Sequence, residues 1–158
     1  MKKTKHPRTL KLIKNYTPKV QESEEIEIYP NGVFKFFISK ILEDIKNGDF
    51  NPKMERIDIQ KWRESHSKST DSLDENHLKI ANTRKPIIQA EIRIGKFEII
   101  DGNHRFEKAF LDGKKTINSY KIYSEELVPY FYDKQGYECF VNYWNSKLED
   151  LWKLKLKK

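Results

Sequence analysis

Five consecutive residues, Asp101 to Arg105, carry side chains that could hold or transfer a phosphate group. They read Asp-Gly-Asn-His-Arg. Arg105 can grip a phosphate through two parallel hydrogen bonds, and the charge of His104 can change near neutral pH. Asp101 could orient one of these groups, bind a metal ion or act as a base. This pentapeptide is therefore the first candidate for a functional site.

The residues around the pentapeptide predict a corner between a strand and a helix. Alternating apolar residues predict strands over 86–94 and 97–100, which Gly95-Lys96 would join as a hairpin. A helical pattern then begins near Asn103, and Gly113 can end it. The chain is thus expected to reverse direction twice within thirty residues or so, with the pentapeptide at the second reversal.

Such a corner is a ready site for an anion. The first N–H groups of a helix have no partner within the helix and carry partial positive charge. Gly102, Asn103 and His104 would present these backbone donors, and Arg105 would clamp the phosphate. Asp, Asn and Gly are also ordinary turn and N-cap residues. A corner without any ligand could therefore need the same residue types.

Length and composition predict one α+β domain preceded by an arm. The 158 residues suit a single domain, which we place at residues 23–158, after a basic extended arm at 1–22. The remaining predicted elements are a short strand Glu24–Tyr29, a helix from Phe34 to Ile45 closed by Gly48, a short strand Ile57–Ile59, a helix through Ala81 carrying His77 on its surface, a strand Thr116–Tyr123 and an amphipathic helix 136–155. Lys114-Lys115 is interpreted as exposed loop charge.

The net charge of +7 is concentrated at the two ends of the chain. Residues 1–20 contain seven Lys and Arg, residues 153–158 contain four Lys, and neither segment contains an acid. The other 20 basic residues face 24 acidic ones, so the body is mildly acidic. Basic termini can hold nucleic acid by counterion release, or they can serve only for solubility.

Several classes of protein are disfavoured by composition. Cys139 is the single cysteine, so an intrachain disulfide or a cysteine-rich zinc site cannot form. No apolar run approaches the roughly 20 residues of a membrane span, and the basic N-terminus lacks the apolar region of a secretory signal. We therefore expect a cytoplasmic protein without a membrane partner. The helix 136–155 should pack on its own domain, with a homodimer contact as the alternative.

The segment from Pro86 to Ile122, PIIQAEIRIGKFEIIDGNHRFEKAFLDGKKTINSYKI, resembles the core of ParB-like domains. These domains place a proline-led strand, a hairpin and a Gly-x-x-Arg turn before a helix that ends in glycine. The resemblance implies the ParB/sulfiredoxin-like fold, a small mixed sheet flanked by helices. The corresponding turn reads GERR in ParB partition proteins, where it holds the triphosphate of CTP, GGCHR in sulfiredoxin and DGHHR in the ADP-dependent free-serine kinases.

The departures from these relatives limit what the resemblance implies. Asn103 stands where sulfiredoxin has its nucleophilic cysteine, and an amide cannot form the covalent sulfur intermediate. His104 replaces the first arginine of GERR. The free-serine kinases use an upstream carboxylate, for which the sequence offers three candidates: Glu55, Asp58 and Glu64.

Motif and resemblance together lead to one function hypothesis and one alternative. The first is a nucleotide-dependent phosphotransferase or nucleotide hydrolase using ATP, ADP or CTP, with Mg²⁺ and with Asp101 or His104 as the acid–base group. The alternative is a non-catalytic DNA- or protein-binding module that uses the basic termini. A nuclease is the least favoured, because no acidic cluster has two-metal spacing.

Overall fold

The chain divides into two units in the computed structural model, which describes residues 6–18, 28–31, 34–66 and 82–156. Unit 1 comprises Met1–Phe50, Glu91–Lys96 and Tyr123–Lys158, and unit 2 comprises Asn51–Ala90 and Phe97–Ile122. The described elements are, in chain order, β1 (Ile28–Asn31), β2 (Phe34–Phe37), α1 (Ile38–Asn47), β3 (Lys53–Asp58), α2 (Ile59–Ser65), β4 (Ile87–Arg93), β5 (Lys96–Asp101), α3 (Asn103–Leu111), β6 (Thr116–Ile122), α4 (Ser124–Leu127), a 3₁₀ turn (Val128–Tyr130) and α5 (Lys134–Leu156).

A four-stranded mixed sheet organises the site-bearing part of the chain. Its strand order is β3-β6-β4-β5. β3 runs antiparallel to β6, with Arg56 opposite Asn118, and β4 runs parallel to β6, with Ile87 opposite Ser119. The end of β3, the start of β6, the start of β4 and the end of β5 therefore lie at the same end of the sheet. The predicted α+β class is confirmed.

The core of unit 2 lies where α2 and α3 meet one face of the sheet. Trp62 of α2 packs against this core and stacks on His66, with ring centroids 3.9 Å apart. Burying each isoleucine or phenylalanine side chain stabilises the fold by about 1.5–3 kcal/mol. The buried members are Ile57, Ile59, Ile87, Ile99, Phe106, Ala109 and Ile117.

Unit 1 is built on an aromatic core between β2, the 3₁₀ turn and α5. Phe36 is fully buried and forms an isolated bridge with Phe131, whose ring lies 5.0 Å from that of Phe140. The apolar face of α5 is buried within this unit, as the sequence predicted for a helix that packs on its own domain. Its buried residues are Tyr137, Phe140, Val141, Trp144 and Leu148.

Two predicted elements differ from those found. Phe34 and Phe37, predicted to be helical, lie in β2, which pairs antiparallel with β1, and the helix begins only at Ile38. Ile59, predicted to end a strand, begins α2 because Asp58 caps that helix by accepting a hydrogen bond from the N–H of Lys61 at 3.1 Å. Gly48 closes α1 in the left-handed conformation, as predicted.

The N-terminal segment is held by specific contacts. Residues 6–18 contain no helix or strand. Tyr16 is nevertheless buried and stacks on Tyr137, and the Trp144 indole donates to the carbonyl of Arg8. The predicted helix containing His77 lies outside the described residues. Among the described elements, no helix combines the length and apolar character needed to cross a bilayer.

Candidate phosphate-binding sites

The pentapeptide forms the predicted corner between β5 and α3. Asp101 is the last residue of β5, Gly102 is the N-cap, and α3 begins at Asn103. Gly102 has φ 94°, a left-handed conformation that residues with a side chain rarely adopt. Phe106 donates to the Gly102 carbonyl at 2.9 Å, so the N–H groups of the preceding residues lie at the open end of the helix.

Close packing leaves no space for a side chain at Gly102. A Cβ there would lie 2.6 Å from Cγ2 of Ile87 and 2.8 Å from Nη2 of Arg105. The guanidinium of Arg105 therefore lies directly against the turn. Two separate constraints therefore require glycine at this position: the backbone angle and the closeness of the two neighbouring side chains.

Arg105 joins three segments of unit 2. Its Nη2 donates to Oδ2 of Asp101 at 3.0 Å and to the carbonyl of Pro86 at 3.3 Å. The two charged side chains are only 20 % and 11 % exposed. Of the three roles open to Asp101, this contact supports the orientation of a neighbouring group. Arg105 thus fastens the start of β4 and the end of β5 to the first turn of α3.

Asn103 and His104 complete the first turn of α3. Asn103 is exposed, and its amide makes a long 3.4 Å bond to the carbonyl of Ile99. His104 is half-buried. The first turn contains no acidic residue, so an anion approaching the helix start would meet no carboxylate of that turn. Asp101 precedes the helix and is already paired with Arg105.

The three upstream carboxylates all have structural partners. Glu55 accepts a hydrogen bond from Lys121 at 2.8 Å, which holds the pKa of this carboxyl below its usual range. Asp58 caps α2, and Glu64 accepts from the amide of Gln60 at 3.2 Å. None of these contacts indicates which carboxylate could serve as a base. In the part of the chain that the structure describes, no group of three His, Cys, Asp or Glu side chains could hold a metal ion.

A second feature, which we name the cationic cleft, lies in the same unit. It is a cavity of about 400 Å³ lined by Arg56, Thr83, Arg84, Lys114, Thr116, Ile117 and Asn118. Three of the seven side chains are cationic and none is acidic. Sequence reasoning missed Arg56 and Arg84 and treated Lys114 as loop charge. The missing signal was the pairing of β3 with β6, which places Arg56 beside Asn118.

Comparison with known proteins returned no relative: no protein-family model, no curated protein and no solved structure matches this chain.

Proposed function

We propose that this protein binds a nucleoside di- or triphosphate (ATP, ADP or CTP), with the phosphates at the start of α3. The observation that carries the proposal is the helix start itself. Gly102 places a nine-residue helix directly after β5, without an acidic side chain in its first turn. Helix N-termini favour anions because of their unpaired N–H groups and the helix dipole. The resemblance of Asp-Gly-Asn-His-Arg to the phosphate-binding turns of ParB-like domains supports the same assignment.

Each residue of the turn has a distinct part in this proposal. Gly102, Asn103 and His104 supply backbone N–H groups, and Arg105 supplies positive charge. A guanidinium has five N–H donors, and the two described bonds of Arg105 both use Nη2. Asp101 positions Arg105 and is not proposed as a base, because its carboxylate is held in that pair.

The chemistry proposed at the bound nucleotide is phosphoryl transfer or hydrolysis. His104 is the proposed acid–base group, because it lies in the first turn and is half-buried. Mg²⁺ usually binds through one or two carboxylates together with the phosphates of the nucleotide. The described residues fit a metal that enters with the ligand better than one held by the protein alone. Such an ion would neutralise charge on the phosphates.

A single charge change at Asn103 tests the site. Asn103→Asp places a carboxylate at the start of α3, where it should repel phosphate. Two like charges about 4 Å apart repel by about 1–4 kcal/mol at partly exposed sites, so nucleotide affinity should fall about tenfold or more. The helix dipole favours a negative charge at this end of the helix. The free energy of unfolding of the ligand-free protein should therefore be unchanged or higher by about 0.3–1 kcal/mol.

The measurement is a thermal-shift titration of ATP, ADP, CTP and GTP with and without Mg²⁺. A nucleotide at a hundred times its dissociation constant should stabilise the wild type by about 2.7 kcal/mol. Asn142→Asp, an exposed residue of α5, is the matched control and should bind like the wild type. Equal nucleotide binding by Asn103→Asp and wild type would contradict the site. Release or transfer of phosphate in the same samples distinguishes catalysis from binding alone.

A further inference from the structure

The cationic cleft has a positively charged lining, and none of its described lining residues carries a carboxylate. Arg56, Arg84 and Lys114 surround the cavity together with two threonine hydroxyls and one asparagine amide. Among the described residues, Arg56 and Arg84 form no ion pair, whereas Arg8, Arg63 and Arg105 each pair with a carboxylate. Like charges held close together repel each other, and a bound anion removes that repulsion.

The fold fixes the positions of these cations. Arg56 and Asn118 are cross-strand partners on β3 and β6, and alternation along β6 places Thr116 on the same face as Asn118. Lys114 donates from Nζ to Oγ1 of Thr83 at 2.6 Å. That contact fastens the loop after α3 to the segment before β4.

The turn that carries Arg84 is also held in place. Its backbone N–H donates to the side chain of Asn82 at 3.0 Å, and the N–H of Lys85 donates to the Asn82 carbonyl at 3.2 Å. The two acids of β3 nearest to Arg56 already have partners, since Glu55 accepts a hydrogen bond from Lys121 and Asp58 accepts the Lys61 N–H as the cap of α2. The arginine is therefore presented by an ordered backbone.

The lining defines the chemistry of the ligand. Among the described residues that line the cleft, none is aromatic and Ile117 is the only apolar one, so they offer no surface on which a base could stack. The planar fork of arginine matches the oxygens of a phosphate, and hydroxyl and amide groups add neutral hydrogen bonds. A cavity of about 400 Å³ is also of the size usual for small-molecule sites.

We propose that the cationic cleft binds the phosphate groups of a small phosphorylated molecule carrying at least two negative charges. The arrangement of Arg56, Arg84 and Lys114 recognises the phosphates and leaves the remainder of the ligand without a dedicated pocket. This site is independent of the proposed nucleotide site at α3, and either could exist without the other.

The test is a calorimetric titration with pyrophosphate. Wild-type protein should bind pyrophosphate at the cleft, and Arg56→Gln and Arg84→Gln should each weaken this binding about tenfold or more. Both residues are exposed, so the substitutions should leave the fold intact, which thermal unfolding checks. Arg93→Gln removes the same charge from an exposed residue outside the cleft and should change affinity less than about twofold. Asn103→Asp, which addresses the α3 site, should leave pyrophosphate binding at the cleft unchanged.

Three results would overturn the proposal. One is no binding of pyrophosphate at millimolar concentration. Another is an equal loss of affinity in Arg93→Gln, which would show an effect of net charge alone. The third is binding of a 20-base-pair DNA duplex that depends on Arg56 and Arg84 while pyrophosphate fails to bind, which would assign the cleft to a nucleic-acid backbone. If the cleft fails these tests, the α3 proposal still stands, because it is tested with nucleotides and with Asn103→Asp.

Discussion

At the scale of single residues, the pentapeptide combines a structural part and a part exposed to ligand. Gly102 is required by its backbone angle and by the packing of Ile87 and Arg105 against it. Asp101 and Arg105 form a half-buried pair that fastens the corner. Asn103 is exposed and makes only one long hydrogen bond among the described residues. Substitutions at Asp101, Gly102 or Arg105 therefore perturb the fold, and Asn103 is the position that separates binding from stability.

The requirement for glycine at 102 leads to a prediction with an internal control. Gly102→Ala should lower the free energy of unfolding by about 1–2 kcal/mol because of the left-handed conformation. The clash with Ile87 and Arg105 should lower it by about 1–3 kcal/mol more. Gly95 has a similar φ of 70°, but no atom lies within 4 Å of its Cβ position. Gly95→Ala should therefore lose only the conformational part. Urea unfolding of both variants measures the difference, and equal losses would show that the close contact at Gly102 costs nothing.

At the scale of secondary-structure elements, the sequence predicts well wherever the signal is local. The hairpin of β4 and β5, the start of α3 and its end all follow from glycines, and Gly95, Gly102 and Gly113 do have positive φ. The strand β2 was missed because Phe34, Phe37, Ile38 and Ile41 fit helical spacing. Pairing with β1 and the bridge from Phe36 to Phe131 outweigh that local pattern.

The two candidate sites also differ in whether their signal is local in the sequence. The α3 turn is contiguous in sequence, so its residues could be named before the fold was known. The cationic cleft brings together residues from three separate stretches of the chain, and only strand pairing reveals that Arg56 lies near Asn118. The contact between Asp101 and Arg105 was also missed as a specific pair, since their spacing of four residues has no fixed geometry across a strand end and a turn.

The N-cap at the boundary between β3 and α2 makes a contribution to stability that can be measured. Asp58 ends the strand and caps a helix of only seven residues. Asp58→Ala should destabilise the protein by about 1 kcal/mol, within the usual range of about 0.5–2 kcal/mol for loss of an N-cap. Asp58→Asn retains the acceptor and should stay close to the wild type. Chemical denaturation of the two variants measures this difference. Equal losses of stability in both would contradict the role of Asp58 as the N-cap.

At the scale of the whole molecule, the sequence suggested that the basic N-terminal segment is available to an external polyanion. Arg8 is instead occupied within unit 1, where its guanidinium donates to Glu91 and Glu125 and lies 5.0 Å from the ring centroid of Trp144. Truncation of this segment would remove structural contacts as well as charge. Exposed lysines such as Lys11 and Lys14 are the better positions at which to test a nucleic-acid role.

Glu91 makes the contribution of Arg8 dependent on pH. Burial raises the pKa of Glu91, but hydrogen bonds from Arg8 and from the N–H groups of Gly95 and Ser124 outweigh it, so the pKa lies below its ordinary value of 4.5. A carboxyl with a lowered folded-state pKa stabilises the protein at pH values above its unfolded pKa. That stability is lost as the pH falls through the folded-state pKa.

Removal of the Arg8 side chain should therefore be most costly near neutral pH. Arg8→Ala leaves a buried, charged Glu91 with fewer partners, and we expect a loss of about 1.5–3 kcal/mol at pH 7, the usual worth of hydrogen bonds to charged groups. Below about pH 4.5 the difference from wild type should shrink, because protonation removes the unpaired charge from Glu91. Lys14→Ala, an exposed cation of the same segment, should have little effect at either pH. Urea unfolding of the three proteins across this range measures both effects, and a loss in Arg8→Ala that is independent of pH would mean that Glu91 is not the group Arg8 stabilises.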